Sequence, residues 1–208
     1  MDPFTILIAT KNKHKAEELA ALTTGLAGSV SLSEWEEQRG QKLTEPEETG
    51  DSFLKNALIK AQTYAAATGL VTLADDSGLT VPALNGEPGV KSARYGRPGF
   101  DDVQRCRFLL AKMKGKHDRR AYFSTVLALA KPDGSYLYWR GRLYGFITRS
   151  MRGSNGFGYD PIFYSPAAGQ GRTLAQLPAE EKNAISHRAE AVKGFLKDLE
   201  AIREFLKP

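Results

Sequence analysis

The stretch T-I-L-I-A-T-K-N-K-H-K-A-E-E-L-A-A-L, Thr5 to Leu22, decides the fold class. Thr5 to Ala9 is an apolar, partly β-branched run, and Lys15 to Leu22 is rich in Ala, Glu and Leu, so the segment predicts strand, loop, helix. Further along, Phe53, Ala57, Ala61 and Ala65 recur at four-residue spacing behind Gly50 and an Asp51 or Ser52 cap, which predicts an amphipathic helix from Ser52 to Thr68. Val71 to Ala74 reads as a short buried strand running into Asp75-Asp76-Ser77-Gly78, and Leu79 and Val81 continue it on alternate positions. The two aspartates are expected to interrupt or end that strand. Asn85 to Gly99 reads as loop, with Pro88-Gly89 and Pro98-Gly99 as breakers, and Asp101 caps a helix through Met113. Tyr122 to Ala130, the turn Lys131-Pro132-Asp133-Gly134 and Tyr136 to Ile147 predict a long hairpin. Ala189, Val192, Phe195, Leu199, Ile202 and Phe205 predict one C-terminal amphipathic helix. Strands alternating with helices and then a hairpin point to an α/β fold with a mixed sheet and flanking helices.

Composition narrows the classes. The chain has 208 residues, 41% hydrophobic and 25% charged, which fits one globular domain spanning 1–208, or two tightly joined lobes, rather than a disordered chain. No apolar run approaches the ~20 residues that span a bilayer, and Met1 to Phe4 lacks a basic leader, so neither membrane nor secretion is expected. Cys106 is the lone cysteine and cannot form an intramolecular disulfide, in keeping with a reducing cytoplasm. Twenty-nine basic against 24 acidic residues give a net charge of +5, which favours an anionic partner. The charges are segregated. Glu34 to Asp51 is acidic, whereas Trp139 to Arg152 carries four arginines and no acid. Carboxylates beside cations suit a metal and a polyphosphate, although solvated faces of a basic protein explain the balance equally well.

Four constellations could carry chemistry. Thr10, Lys11, Asn12, Lys13, His14 and Lys15 follow the first strand and offer hydroxyl, amide and ammonium donors at a helix start, an anion site or simply a solvated helix start. Neither G-x-G-x-x-G nor G-x-x-x-x-G-K-[ST] occurs there, so ordinary Rossmann and P-loop readings fit poorly. Asp75-Asp76 places two carboxylates in an apolar context, which needs a cation or hydrogen bonds, or else marks an Asx turn. Glu47 and Glu48 are the obvious further oxygen ligands for a divalent metal. Gly153 to Pro161 combines glycines with Phe157 and Tyr159, either of which can stack on a base or pack as a tight turn. Lys182 with Ser186-His187-Arg188, just before the last helix, offers donors for phosphate or a carbonyl-bearing base. His14, His117 and His187 lack zinc-ligand spacing, and Cys106 falls inside a predicted helix, so zinc and thiol chemistry fit poorly.

In this order, A-T-K-N-K-H-K from Ala9, E-E-T-G-D-S-F-L-K-N-A from Glu47, A-D-D-S-G-L from Ala74, L-N-G-E-P-G-V-K-S-A-R-Y from Leu84, G-F-G-Y-D-P-I-F from Gly156 and E-K-N-A-I-S-H-R from Glu181 span nearly the whole chain. In these motifs the chain resembles the inosine triphosphate pyrophosphatases, the non-canonical purine nucleoside triphosphate pyrophosphatases. The resemblance implies an elongated mixed β-sheet with flanking helices, two lobes around a nucleotide cleft, and a homodimer. It implies hydrolysis of ITP, dITP and XTP to the monophosphate and pyrophosphate with Mg²⁺. Thr10 to Lys15 would hold phosphates, Lys60 would reach the polyphosphate, and Asp76 would be general base and metal contact with Glu47 or Glu48. Ser77, Phe157, Gly158, Tyr159, Asp160, Lys182, His187 and Arg188 would form the nucleotide site, with Arg94 adding charge near the phosphates. Lys11, Lys55 and Lys91 depart from the family pattern, which commonly has a small residue, an acid and an aromatic there. The rival reading is a nucleic-acid or nucleotide-binding module without catalysis. Asp75, Asp76 and the acidic Glu34 to Asp51 stretch argue against it, because they would repel a phosphate backbone.

Overall fold

A computed structural model describes residues 5–10, 16, 19–20, 23–24 and 27–207 of the chain. Lys11, Asn12, Lys13, His14 and Lys15, the candidate phosphate-binding segment, lie outside the described residues apart from Thr10 at its start. Six strands form one mixed sheet: β1 (Ile6–Ile8), β2 (Ser29–Ser31), β3 (Val71–Thr80), β4 (Arg120–Ala130), β5 (Tyr136–Ile147) and β6 (Phe163–Tyr164), in the order β2-β1-β3-β4-β5-β6. β1 pairs in parallel with β2 and β3, Leu7 lying opposite Val30 and Thr72, whereas β5 and β6 are antiparallel. The expected first helix is seen as helical backbone at Ala16, Leu19, Ala20 and Thr23.

The helices α1 (Leu32–Arg39), α2 (Phe53–Thr68), α3 (Asp102–Lys112), α4 (Ala179–Ile185), α5 (His187–Lys197) and α6 (Leu199–Leu206) complete the α/β architecture. Ser52 caps α2, its hydroxyl accepting from the Lys55 N–H at 3.3 Å, and Asp101 caps α3 in the same way through Gln104. The hairpin of β4 and β5 turns at 131–135, where the Lys131 N–H donates to the Ser135 carbonyl and Gly134 adopts a φ of 88° that suits glycine.

Three expectations change. β3 runs unbroken from Val71 to Thr80, so Asp75 and Asp76 sit inside a strand rather than at its end. The C-terminal helix is two helices that part at Asp198, whose carboxylate accepts from the Trp139 indole N–H at 2.7 Å. His187 and Arg188 therefore open α5 itself instead of preceding the last helix, while Lys182 stands on the separate α4.

The chain divides into two compact units: Met1–Asp76, Val126–Arg140 and Ala191–Pro208 form the first, and Ser77–Thr125 and Gly141–Glu190 form the second. Strand alternation gives the first unit a core on each face. Leu7, Ala74, Val126 and Ala128 pack with Ala57, Ala61 and Trp35, whereas Ile6, Ile8, Leu73 and Leu127 pack with Phe195, Ile202 and Trp139. Alanines at 57, 61 and 65 let α2 approach its neighbours closely. The second unit has one core, built from Leu79, Leu109, Phe123, Tyr159, Ile162 and Phe163 among others.

Candidate active site

In the first unit, β1 stops at Ile8, and the Ala9 N–H donates to the Leu73 carbonyl at 2.9 Å. β3 continues past this point and carries Asp75 and Asp76 beyond the end of β1. A cavity of about 70 Å³ opens there, lined by Ala9, Thr10, Leu32, Glu45, Lys60, Tyr64 and Asp75. Thr10 thus shares this cavity with Glu45, Lys60 and Asp75. Asp76 shares the parity of Ala74, which packs in the same core as Ala57 and Ala61 of α2.

That helix supplies Lys60, whose Nζ lies 2.8 Å from Glu48 Oε1 and 3.8 Å from Asp76 Oδ1. Only 15% of the Lys60 side chain and 10% of that of Asp76 are exposed, so these charges interact with little screening. Burial opposes the charge of Lys60, but Asp75, Asp76 and Glu48 outweigh it and raise the ammonium above its ordinary pKa. Burial pushes Asp76 up to about 6, helped by Glu48 and Asp75 and opposed by Lys60 and the Asn56 amide. A carboxyl held near 6 takes up a proton much closer to neutrality than an ordinary aspartate.

The acidic stretch before α2 is not uniformly available. Glu34 closes a capping box with Ser31, and Glu36 Oε1 accepts from the Leu43 N–H at 2.9 Å. Glu48 is half-buried on Lys60, whereas Glu47 is exposed. Glu45, not singled out from the sequence, lines the cavity. Lys55 forms a surface pair with Asp51. Among the described residues no group of three or more His, Cys, Asp and Glu side chains forms a closed metal cage. Mg²⁺ seldom uses such a cage: it keeps several waters and takes one or two carboxylates plus substrate phosphates. The all-oxygen pair Glu48 and Asp76, with Lys60 against it, fits that ion.

In the second unit, Asp160 is buried and accepts from Lys182 Nζ and from the Phe157 N–H, the latter at 2.9 Å. Burial raises its pKa, opposed by Lys182 and the Phe157 N–H. Gly156 has a φ of 75°, and a Cβ there would meet Asp160 Oδ2 at 2.2 Å and Lys182 Nζ at 3.1 Å, so the turn requires glycine. Phe157 is 59% exposed, with Lys182 Nζ 4.2 Å from its ring centroid. Tyr159 is buried and donates to the Ser92 carbonyl at 2.8 Å, so it anchors the loop rather than stacking on a base.

The Phe157 N–H is used by Asp160 and the Gly158 N–H by Asp102 Oδ2 at 2.7 Å, so these amides are committed within the protein rather than aimed at a ligand. His187 stacks on Phe123 with ring centroids 5.0 Å apart and an interplanar angle of 14°, and the adjacent Arg188 is buried. Ser77 is half-buried on β3, and Arg94 is exposed at the end of a 3₁₀ turn over Gly89–Arg94 that also carries exposed Lys91. Cys106 is buried with its thiol 3.3 Å from the Gly158 carbonyl, and burial, then Asp102 and Asp160, pushes it up to about 12. It is no nucleophile at neutral pH.

The model of the Ham1 family matches residues 6–198. This chain belongs to the Ham1 family. Among its Ham1 relatives, the dITP/XTP pyrophosphatase of Deinococcus deserti is 45% identical over 188 residues, covering 90% of this chain and 85% of its own. That of Listeria innocua is 42% identical over 202 residues, 96% of both chains. A solved Ham1 structure from Coxiella burnetii superposes with a TM-score of 0.87 at 40% identity, covering 95% of this chain and 99% of that one.

Proposed function

We propose that this chain is a nucleoside triphosphate pyrophosphatase that hydrolyses ITP, dITP and XTP to the monophosphate and pyrophosphate, clearing deaminated purines from the nucleotide pool. The observation that carries the reading is Asp76, a buried carboxylate poised at about 6 beside Lys60 and Glu48, in a chain 42–45% identical to proteins named dITP/XTP pyrophosphatases.

Asp76 accepts the proton of the water that attacks the α-phosphorus. Lys60 exchanges Glu48 for the substrate and neutralises charge on the departing phosphates, joined by Thr10 to Lys15. Glu48 and Asp76 would hold Mg²⁺, which would supply further neutralisation of the phosphate charge when bound. Arg94 adds charge near the phosphates, Ser77 belongs to the nucleotide site, and Phe157, on the turn formed by Gly158, Tyr159 and Asp160, stacks on the purine. Lys182 and His187 complete the nucleotide pocket. Arg188 donates to the 6-oxo group that inosine and xanthine carry where adenine has an amino donor, a mismatch worth up to about 10⁴-fold against ATP.

We further read residues 1–208 as one domain, acting in the cytoplasm on nucleotides rather than on nucleic acid. No helix among the described residues is long and apolar enough to cross a membrane. The homodimer rests on the family resemblance. A nucleotide panel with Mg²⁺ in ¹⁸O-labelled water tests the reaction. Pyrophosphate release from ITP, dITP and XTP, with label confined to the monophosphate, is expected. Label in pyrophosphate, accumulation of a diphosphate, or binding without release would overturn it.

A further inference from the structure

Asn56 has no role in the reaction as described, yet it is fully buried on the inner face of α2. Burying an amide without partners costs about 1–3 kcal/mol, so its place needs a physical reason. Its Oδ1 accepts from the Gly50 N–H at 2.8 Å, and Gly50 follows Glu48 by two residues. The fit is close on both sides: a Cβ on Gly50 would lie 2.6 Å from Asn56 Oδ1 and 2.7 Å from Lys55 Cβ. Asn56 precedes Lys60 by four residues, so one face of α2 carries the amide and the ammonium one turn apart. Lys60 grips the Glu48 carboxylate, and Asn56 grips the backbone just beyond it.

The geometry points to Asn56 as a positioning residue that keeps the Glu48 loop beside Asp76 when Lys60 turns from Glu48 to the substrate. The spacing of the two carboxylates, and with it the affinity for a divalent cation, is then set by the contact between Asn56 and Gly50. This inference rests on the assignment of Glu48 and Asp76 to the cation. Outer groups that orient metal ligands typically control metal affinity by about 10–100-fold.

Mn²⁺ binding to the full chain without nucleotide, followed by electron paramagnetic resonance, tests it together with Mg²⁺ titrations of ITP hydrolysis. Asn56→Ala is expected to weaken Mn²⁺ binding at least about tenfold and to raise the half-saturating Mg²⁺ by a similar factor. Saturating Mg²⁺ should restore kcat, with KM for ITP unchanged, a recovery that a merely structural defect would not show. Gly50→Ala, which leaves Asn56 in place and pushes on the same contact, should reproduce the defect and decides the matter if Asn56→Ala fails to fold. Wild-type Mn²⁺ affinity in the folded variants, or a loss of kcat that persists at every Mg²⁺ concentration, would overturn the role. Failure of the wild type to hydrolyse ITP would strike the proposed reaction, while the Mn²⁺ comparison would still decide the role of Asn56. Absence of Mn²⁺ binding by the wild type would overturn this inference directly.

Discussion

Each unit of the molecule buries a carboxylate against a lysine, but the surroundings differ. Lys60 is shared by Glu48, Asp75 and Asp76, and its distance to Asp76 is 3.8 Å. Asp160 has Lys182 in direct contact and the Phe157 N–H as a second donor. Among the described residues the first cluster carries more negative than positive charge, an arrangement that a cation completes. The second is internally balanced and holds the turn that displays Phe157. A surplus of charge suits chemistry that changes protonation during a cycle, and a balanced pair suits a surface that must hold its shape.

Breaking the acid cluster should have the largest effect: Asp76→Asn is expected to lower kcat for ITP by at least about 10²-fold with KM little changed, in steady-state kinetics. In the balanced cluster, Lys182→Ala leaves Asp160 buried without its cation and should cost about 3–5 kcal/mol in chemical denaturation, more at neutral pH than in acid, where Asp160 takes up a proton. The acid cluster should give the opposite stability result. Because the pKa of Asp76 is raised to about 6 in the fold, the native state without metal binds this proton more tightly than the unfolded chain, and its stability falls as pH rises from about 4 through 6. Asp76→Asn should therefore stabilise the metal-free protein at pH 7–8 by up to about 3 kcal/mol, and by little near pH 4, in thermal melts. The smallest effect belongs to the displayed ring. Phe157→Ala should raise KM for ITP and ATP alike by about tenfold, since stacking carries little base information.

The two clusters also differ in how far their residues could be read in advance. Asp75 and Asp76 stand out because carboxylates are rare in an apolar run, but in sequence adjacent acids resemble a strand end, whereas the neighbouring Lys60 ammonium lets β3 continue through them. Glu47 and Glu48 are indistinguishable in one dimension, and only the fold of the loop onto Lys60 separates them. The pairing of Asp160 with Lys182 joins residues 22 apart through a turn and a separate helix, which no local period encodes. Asn56 is silent in the sequence because a lone amide at a buried helical position has no signature there. The short β2 and the largely polar α1 carry too little periodicity to be legible in the sequence. Asp198 interrupts a repeat whose apolar residues continue at helical spacing on both sides, and its bond to Trp139 is a tertiary contact. The hairpin, the caps of α2 and α3 and the central strands were legible because turn chemistry and alternation act locally.

The bond between Trp139 and Asp198 has a practical consequence. Trp35 and Trp139 are the two tryptophans of the chain, and both are buried in the unit that bears the acids. Intrinsic tryptophan emission is therefore a private signal of that unit, whereas the tyrosines are divided, Tyr64, Tyr136 and Tyr138 in the first unit and Tyr95, Tyr122, Tyr144, Tyr159 and Tyr164 in the second. Tryptophan emission, set against far-ultraviolet circular dichroism of the whole chain through one denaturant titration, would tell whether the acid-bearing fold comes apart together with the rest or in turn.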